Sequence, residues 1–213
     1  GFMGGAGRMP RREEVAEARA KVGMDLVRLN PGDRTVQFAR EGVMLDLGAI
    51  GKGYAVERAA EVLREAGVTS ALFHGGTSTV QAIGRPPGEE CWKVAIETPS
   101  PDTPRPLLAT VPLKDEAMSV SGVWGHCFEA GGRTFGHILD PRTGEPAWGT
   151  VLAAVILPSA TETDALSTAL LTRGAAGHEA IAGLRPGMRT LVVSESGGKL
   201  STTARGIMVQ AIA

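Results

Sequence analysis

A carboxylate and two hydroxyl groups share one face of a helix that the sequence predicts over residues 161–172. Asp164 lies three residues before Ser167 and four before Thr168, and residues at these spacings are neighbours on a helix surface. Carboxylate and hydroxyl oxygens are hard ligands that suit Mg²⁺, which also keeps waters and accepts substrate phosphate oxygens. The face therefore indicates a candidate magnesium site.

The same segment also fits a purely structural role. Ser159 with Glu162, or Thr161 with Asp164, has the spacing of a capping box, in which the side chains satisfy the first amides of a helix. Asp164 on this interpretation serves only the helix end. The residues alone leave both interpretations open.

A glycine-rich passage over residues 46–54 precedes the clearest predicted helix and carries Asp46 and Lys52. Amides at a helix N-terminus favour anions, glycines allow a ligand to approach the main chain, and a lysine adds positive charge. A Walker-type phosphate loop is excluded because Gly53 follows the lysine where Ser or Thr is required, and a dinucleotide fingerprint is absent. The alternative is a tight strand-to-helix turn with a solvated lysine.

A histidine between apolar residues, His137, comes immediately before a predicted tight turn over residues 140–144. A histidine that titrates near neutral pH can take the proton of a hydroxyl group. The alternative is an ordinary strand histidine, followed by a turn that Asp140 and Arg142 hold together. His74, beside two glycines, is a second candidate for the same cleft.

The elements that must position these residues are predicted as strands with helices inserted singly. Apolar residues recur at helical spacing over 54–66, residues 70–84 have a strand-turn-strand pattern, and the apolar run 151–157 is typical of a buried strand. This order predicts an α+β fold, a two-layer α/β sandwich with mostly antiparallel strands and a few inserted helices. Further predictions are a helix near 11–20, a hairpin over 26–38, strands at 94–97, 107–113, 118–121, 133–139, 191–193 and 206–211, and a short helix at 178–184.

Composition narrows the class of protein. The chain has 213 residues, 43% of them hydrophobic and 21% charged, which is ordinary for a globular protein, and its apolar runs are too short for a transmembrane segment. A formal net charge of -1 provides no field to attract nucleic acid or an anionic membrane. Two cysteines cannot form a disulfide framework or a structural zinc site.

Together the motifs resemble those of the ApbE family, the FAD:protein FMN transferases. Residues 45–56 resemble the family's central glycine-lysine motif and the start of its helix. The later motifs follow in the family's order at compatible intervals: a Gly-Gly turn at Gly75 and Gly76, then residues 119–122, 137–144 and 164–168.

The resemblance implies that FMN is transferred through its phosphate from FAD to a Thr or Ser hydroxyl of an acceptor protein, with release of AMP and with Mg²⁺ in the cleft. It implies that His137 is the base that activates the acceptor hydroxyl. The other implied site residues are Asp46, Lys52, Ile138, Gly75 and Gly76 for FAD, and the backbone oxygen of Ala49 with Asp164, Ser167 and Thr168 for the metal.

The sequence also departs from the family pattern. The family usually has a longer N-terminal part with further FAD contacts, so we expect residues 1–213 to form a single ApbE-like domain that lacks it. Thr77-Ser78 stands where Asp is common, and Val123-Trp124 follows Gly122 where Tyr is common. If the printed sequence is the complete expressed chain, weakened FAD affinity is expected.

Two other functions stay open on the sequence. One is an FAD pyrophosphatase, in which water replaces the acceptor and FMN and AMP are released. The other is a non-catalytic flavin-binding module. The implied partner of the transferase is a flavin-acceptor protein of a redox system, and the resemblance places family members in the periplasm or on a membrane anchor.

Overall fold

The computed structural model describes residues 8–99, 106–123, 127–130 and 133–210. Numbered along the chain, its helices are α1 (Arg12–Arg19), α2 (Gly51–Glu65), α3 (Ala160–Arg173) and α4 (His178–Ala182). Its strands are β1 (Val27–Asn30), β2 (Thr35–Phe38), β3 (Ala71–Gly75), β4 (Thr79–Ile83), β5 (Trp92–Glu97), β6 (Leu107–Leu113), β7 (Ala117–Gly122), β8 (Cys127–Ala130), β9 (Arg133–Gly136), β10 (Leu139–Asp140), β11 (Glu145–Pro146), β12 (Thr150–Leu157), β13 (Arg189–Ser196) and β14 (Lys199–Arg205).

The chain divides into two compact units. The smaller consists of Gly1–Asp46 and Trp124–Ala147, and the larger of Leu47–Val123 and Trp148–Ala213. The expectation of a single domain over residues 1–213 stays a prediction. None of the helices in the described ranges is long and apolar enough to cross a membrane.

The larger unit is built on a six-stranded sheet in the order β14-β13-β12-β7-β4-β3, with every neighbouring pair antiparallel. The strand β12, which crosses the middle of the sheet, is buried along its whole length, as its continuous apolar run predicts. With α2 and α3 packed against this sheet, the predicted α+β class with mainly antiparallel strands is confirmed.

The two faces of the sheet differ because side chains alternate along each strand. On one face Val80, Met118, Leu152 and their neighbours pack against the β5–β6 hairpin, whose buried residues include Leu108 and Leu113. The opposite face, which contacts the helices, carries small and polar side chains together with buried apolar ones. The small residues let the helices approach the sheet closely.

Helices α2 and α3 pack against each other near their N-terminal ends. Gly53 of α2 lies against Ala160 and Asp164 of α3, and a Cβ built on Gly53 would lie 2.7 Å from the Asp164 Cβ and closer still to the Ala160 carbonyl oxygen. Only glycine fits this position without displacing the other helix. The close approach brings the glycine-rich passage to the carboxylate-bearing face of α3.

The smaller unit contains α1 and three short hairpins, β1–β2, β8–β9 and β10–β11. The β1–β2 hairpin is confirmed, and in its turn the Asn30 side chain accepts hydrogen bonds from the amides of Gly32 and Asp33 at 3.1 and 3.3 Å. In the β10–β11 turn, Gly144 has a φ of 78° and lies against Val15 and Arg19 of α1.

The sequence predictions fail most clearly at the C-terminus. The last strand is β14, over Lys199–Arg205, and not residues 206–211. Of the described residues 206–210, Val209 forms only an isolated bridge with Ala109, and Ala211 lies outside the described residues. Strand β14 was missed because it is an edge strand with a mostly polar exposed side, which carries no run of apolar residues.

Replacing Gly53 tests the close approach of the two helices. Gly53→Ala is expected to lower the free energy of unfolding by about 1–3 kcal/mol because the new methyl group overlaps α3. Gly51→Ala is the matched control, since no atom lies within 4 Å of a Cβ there, and it should be neutral or stabilising by about 0.4–1 kcal/mol. Denaturant unfolding measures both, and equal effects would contradict the proposed packing.

Candidate functional site

The carboxylate of Asp164, on α3, lies against the first turn of α2, which ends the glycine-rich passage. Its residue is 3% exposed, and its Oδ2 accepts a hydrogen bond from the Gly53 amide at 2.9 Å. Its Oδ1 lies 3.6 Å from Nζ of Lys52, whose side chain is about half exposed. The structure thus brings together the acidic residue of α3 and the lysine of the glycine-rich passage, and their roles toward the metal and FAD stay predictions.

Asp164 caps a helix, but not its own. The N-cap residue of α2, Ile50, offers no side-chain hydrogen bond, and Gly53 is the third residue of that helix, so its amide lacks a partner within the helix. Asp164 supplies the missing acceptor, and its negative charge stands at the positive end of the α2 dipole. The cap of α3 is instead Ser159, whose Oγ accepts from the Glu162 amide at 3.2 Å.

Helix α2 caps α3 in return. A carboxylate oxygen of Glu57 accepts hydrogen bonds from the Thr161 amide and the Ser159 hydroxyl, both at 2.8 Å. Partial burial raises the pKa of Glu57, but the hydrogen bonds from Thr161 and Ser159 outweigh it and leave the pKa below its ordinary value. Each helix therefore holds the N-terminus of the other, which fixes Asp164 relative to Lys52.

The two predicted hydroxyl residues stand beside Asp164 on α3. The Ser167 and Thr168 hydroxyls lie 3.0 and 3.3 Å from the Asp164 carbonyl oxygen, within reach of a hydrogen bond to it, and both contact Ser121 of β7. Ser167 is fully buried, whereas Thr168 is half-buried. Thr168 is thus the more accessible of the two oxygen ligands predicted beside Asp164.

The backbone oxygen predicted as a further metal ligand belongs to Ala49, in the exposed turn before α2. In a continuing helix the Gly53 amide would donate to this oxygen, but it donates to Asp164 instead. Among the described residues, no hydrogen bond is found on the Ala49 carbonyl oxygen. The role of Ala49 as a ligand stays a prediction.

The donor chemistry of this site fits a hard divalent cation. It offers one carboxylate, accessible hydroxyl oxygen and a backbone carbonyl in the neighbouring turn, all of them oxygen ligands. The described part of the chain has no group of three or more His, Cys, Asp or Glu residues arranged to hold a metal. A cation held by so few charged ligands keeps waters or takes oxygens from a substrate, which is the behaviour of Mg²⁺.

The predicted Gly-Gly turn lies at the end of β3 in the same unit. Gly75 faces α2, where a Cβ would lie 2.8 Å from a methyl group of Val56, and Gly76 has a φ of 66°. The exposed His74 contacts the Gly76 carbonyl oxygen through Nδ1 at 2.6 Å. Packing and turn geometry thus account for both glycines, and their contact with FAD stays a prediction.

Three predicted site residues belong to the smaller unit. Asp46 and His137 are exposed and Ile138 is half-buried, with the Ile138 carbonyl accepting from the Ala147 amide at 2.9 Å. His137 lies in the connection between β9 and β10 rather than within a strand. The roles implied for these three residues stay predictions.

The turn after His137 holds itself together, as the structural interpretation expects. The Arg142 guanidinium donates to both carboxylate oxygens of Asp140, with the shortest distance 2.6 Å from Nη2 to Oδ2, and its backbone amide donates at 2.9 Å. These hydrogen bonds raise the pKa of Arg142. The pair stabilises the turn that follows the candidate base.

Sequence reasoning missed two residues of the site, Glu57 and Ser121. Glu57 lies one helical turn after Gly53, so the two residues share a face of α2. An acidic residue on the same face as the closely packed glycine is the sequence feature that could have identified it. Ser121 lies within the family motif over residues 119–122, but the motif itself implies no role for it. It lies two residues from Ser119 on the same strand, so both side chains face the helices. Both act across elements distant in sequence.

Known proteins similar to this chain agree on one family. The profile of the ApbE family matches residues 1–192. The FAD:protein FMN transferase of Haemophilus influenzae is 32% identical over 170 residues, which are 78% of this chain and 49% of that protein. This chain therefore spans about half the length of that relative.

Solved structures of the same family resemble the fold. The flavinyl transferase ApbE of Pseudomonas stutzeri, in its apo form, matches with a TM-score of 0.78 and 32% identity, over 93% of this chain and 60% of that one. The ApbE protein of Thermotoga maritima matches with a TM-score of 0.79 and 32% identity, over 91% and 62%. These matches confirm the resemblance stated from the motifs.

The reciprocal caps generate a pH-dependent prediction. Glu57→Gln keeps an oxygen that can accept the hydrogen bonds but removes the negative charge at the N-terminus of α3, and it should lower the free energy of unfolding at pH 7 by about 0.3–1 kcal/mol. Because the folded-state pKa of Glu57 is lowered, its contribution is complete above the unfolded-state pKa and is lost as the pH falls through the folded value. The difference between wild type and variant should therefore shrink on acidification.

Denaturant unfolding at a series of pH values between neutral and about pH 3 measures this difference. Glu65→Gln, in the exposed last turn of α2, is the matched control and should show no comparable loss. A Glu57 effect that stays constant as the pH falls would contradict the cap.

Proposed function

This chain belongs to the ApbE family, and on that premise we propose that it transfers FMN from FAD to a Thr or Ser hydroxyl of an acceptor protein, with release of AMP. One observation carries the proposal: the buried Asp164 carboxylate is held at the N-terminus of α2 next to the Lys52 ammonium, and the Thr168 hydroxyl lies one turn further along α3, 3.3 Å from the Asp164 backbone carbonyl oxygen. This combination of oxygen ligands and positive charge suits a substrate with two linked phosphates.

The proposed reaction breaks the phosphoanhydride bond of FAD and forms a phosphate ester with the acceptor hydroxyl. The acceptor oxygen forms a bond to the phosphorus of the FMN phosphate, and the bond from that phosphorus to the oxygen bridging it to AMP breaks. AMP leaves with the bridging oxygen, and the hydroxyl proton of the acceptor passes to a base. Catalysis then requires positioning, neutralisation of phosphate charge and a proton acceptor.

The residues of this chain divide those tasks. Asp164 and Thr168, with the Ala49 carbonyl and Ser167, are the groups that would hold Mg²⁺, and the cation when bound neutralises charge on the phosphate oxygens. Lys52 adds a positive charge at the first turn of α2, where backbone amides favour phosphate. His137 would take the acceptor proton, and Asp46, Ile138, Gly75 and Gly76 would contact FAD.

The transferase proposal is tested by incubating the protein with FAD, Mg²⁺ and a flavin-acceptor domain. Fluorescence of the acceptor after denaturing electrophoresis, together with AMP in equal amount, is the expected result. Free FMN with AMP and an unlabelled acceptor would replace the proposal by an FAD pyrophosphatase. Absence of both products would indicate a flavin-binding module.

Asp164→Asn separates the charge of the carboxylate from its capping role. The asparagine carbonyl can still accept from the Gly53 amide, so the fold should be retained, while loss of the metal carboxylate should lower turnover by about a hundredfold or more. Glu162→Gln, two residues earlier on the same helix and paired with Arg185, is the matched control and should retain activity. Full activity of the Asp164 variant would refute its assigned role.

His137→Ala tests the assigned base. Because the side chain is exposed, the fold should be unaffected, and the rate of FMN transfer should fall by about a hundredfold. Initial rates of FMN transfer to the acceptor domain measure this loss. An unchanged rate would show that another group takes the proton.

A further inference from the structure

A serine of the central sheet lies beneath the two hydroxyl residues of α3. The Oγ of Ser121, on β7, is 2.9 Å from the Ser167 Oγ and 3.2 Å from the Thr168 Oγ1. Ser121 is half-buried and lies on the helix-facing side of the strand. It therefore contacts both hydroxyl ligand candidates from the side of the sheet.

The three hydroxyl protons must be distributed among a small number of acceptors. A neutral hydroxyl that binds a cation through an oxygen lone pair must direct its proton elsewhere. Two acceptors are within reach of Thr168, the Asp164 carbonyl at 3.3 Å and the Ser121 hydroxyl at 3.2 Å. The Asp164 carbonyl already accepts the shorter bond from Ser167, at 3.0 Å.

In one arrangement the shorter bond from Ser167 takes the Asp164 carbonyl, and no acceptor receives more than one proton. Thr168 donates to Ser121, Ser121 donates to Ser167, and Ser167 donates to the Asp164 carbonyl. In this series of hydrogen bonds no proton points at the Thr168 oxygen, so the lone pairs of that oxygen are left for a ligand. The reverse direction, with Ser121 donating to Thr168, would occupy one of those lone pairs.

We propose that Ser121 is a positioning residue. Its Oγ accepts a hydrogen bond from the Thr168 hydroxyl and thereby orients Oγ1 of Thr168 toward a divalent cation. The inference rests on the proposed function, because it presumes that Asp164 and Thr168 hold such a cation. Groups that hydrogen-bond to metal ligands orient those ligands, and their loss typically costs about 10–100-fold in metal affinity. Ser121 meets that description through two hydroxyl contacts.

The same strand supplies a matched control. Ser119 lies two residues before Ser121 on the same face, and its hydroxyl contacts Thr79 at 3.0 Å and Thr163 at 2.8 Å. Ser119→Ala removes a buried hydroxyl of the same type from the same interface between sheet and helix. It should lower stability without changing cation affinity.

The test is a titration of the protein with Mn²⁺ as a probe for Mg²⁺, with and without FAD, followed by the electron paramagnetic resonance signal of free Mn²⁺. Ser121→Ala should weaken binding about tenfold, Ser121→Thr, which keeps the hydroxyl, should restore it, and Ser119→Ala should bind like wild type. Circular dichroism and thermal melting check the fold. If Ser121→Ala does not fold, Ser121→Cys provides the near-isosteric replacement with a weak hydrogen-bonding group.

The outcomes separate this inference from the proposed function. Wild-type binding that is lost in Asp164→Ala but unchanged in Ser121→Ala overturns the role of Ser121 and leaves the cation site standing. No binding to wild type, or equal binding to Asp164→Ala, overturns both proposals. A tenfold loss in both Ser121→Ala and Ser119→Ala attributes the effect to packing and also overturns the inference.

Discussion

The hydrogen bond between the Gly53 amide and the Asp164 carboxylate is the interaction on which the rest of the site depends. A buried carboxylate needs partners that compensate for lost hydration, and a helix N-terminus needs acceptors for its first amides. Asp164 and α2 satisfy both requirements at once. In return, the Glu57 carboxylate of α2 accepts hydrogen bonds from the first residues of α3, which holds the two helices in a fixed position relative to each other. The carboxylate is thereby fixed relative to both helices.

Small side chains make this arrangement possible. Gly53 allows the backbone of α3 to approach α2, and Gly75 does the same between α2 and β3. On the sheet, the serines of β7 meet the hydroxyls of α3 at hydrogen-bond distance. The result is a group of polar contacts between sheet and helix, beside an apolar cluster that includes Val56 and Ala160, and buried hydroxyls there are satisfied by one another. A larger apolar cluster lies on the other face of the sheet, against the β5–β6 hairpin.

Strong local sequence patterns predicted the helices and strands well. They predicted the contacts between these elements poorly. The helix before Gly67, the buried strand β12 and the Asn30 turn follow from periodicity and turn residues. The pairing of Asp164 with Gly53 spans 111 residues of sequence, and no periodicity contains that information. The motif resemblance implied only that Asp164 shares a metal with the Ala49 carbonyl of the glycine-rich passage. Glu57 was missed because an acidic residue on a surface helix is usually solvated.

The central claim is that Asp164 and Thr168 bind a divalent cation beside the N-terminus of α2. Anomalous X-ray diffraction from crystals grown with Mn²⁺ and FAD measures this directly. The account predicts an anomalous peak about 2.0–2.3 Å from Oδ1 of Asp164 and Oγ1 of Thr168, with phosphate oxygens or waters completing the coordination. A strong peak elsewhere, with Lys52 still paired to Asp164 and no density between Asp164 and Thr168, would contradict it.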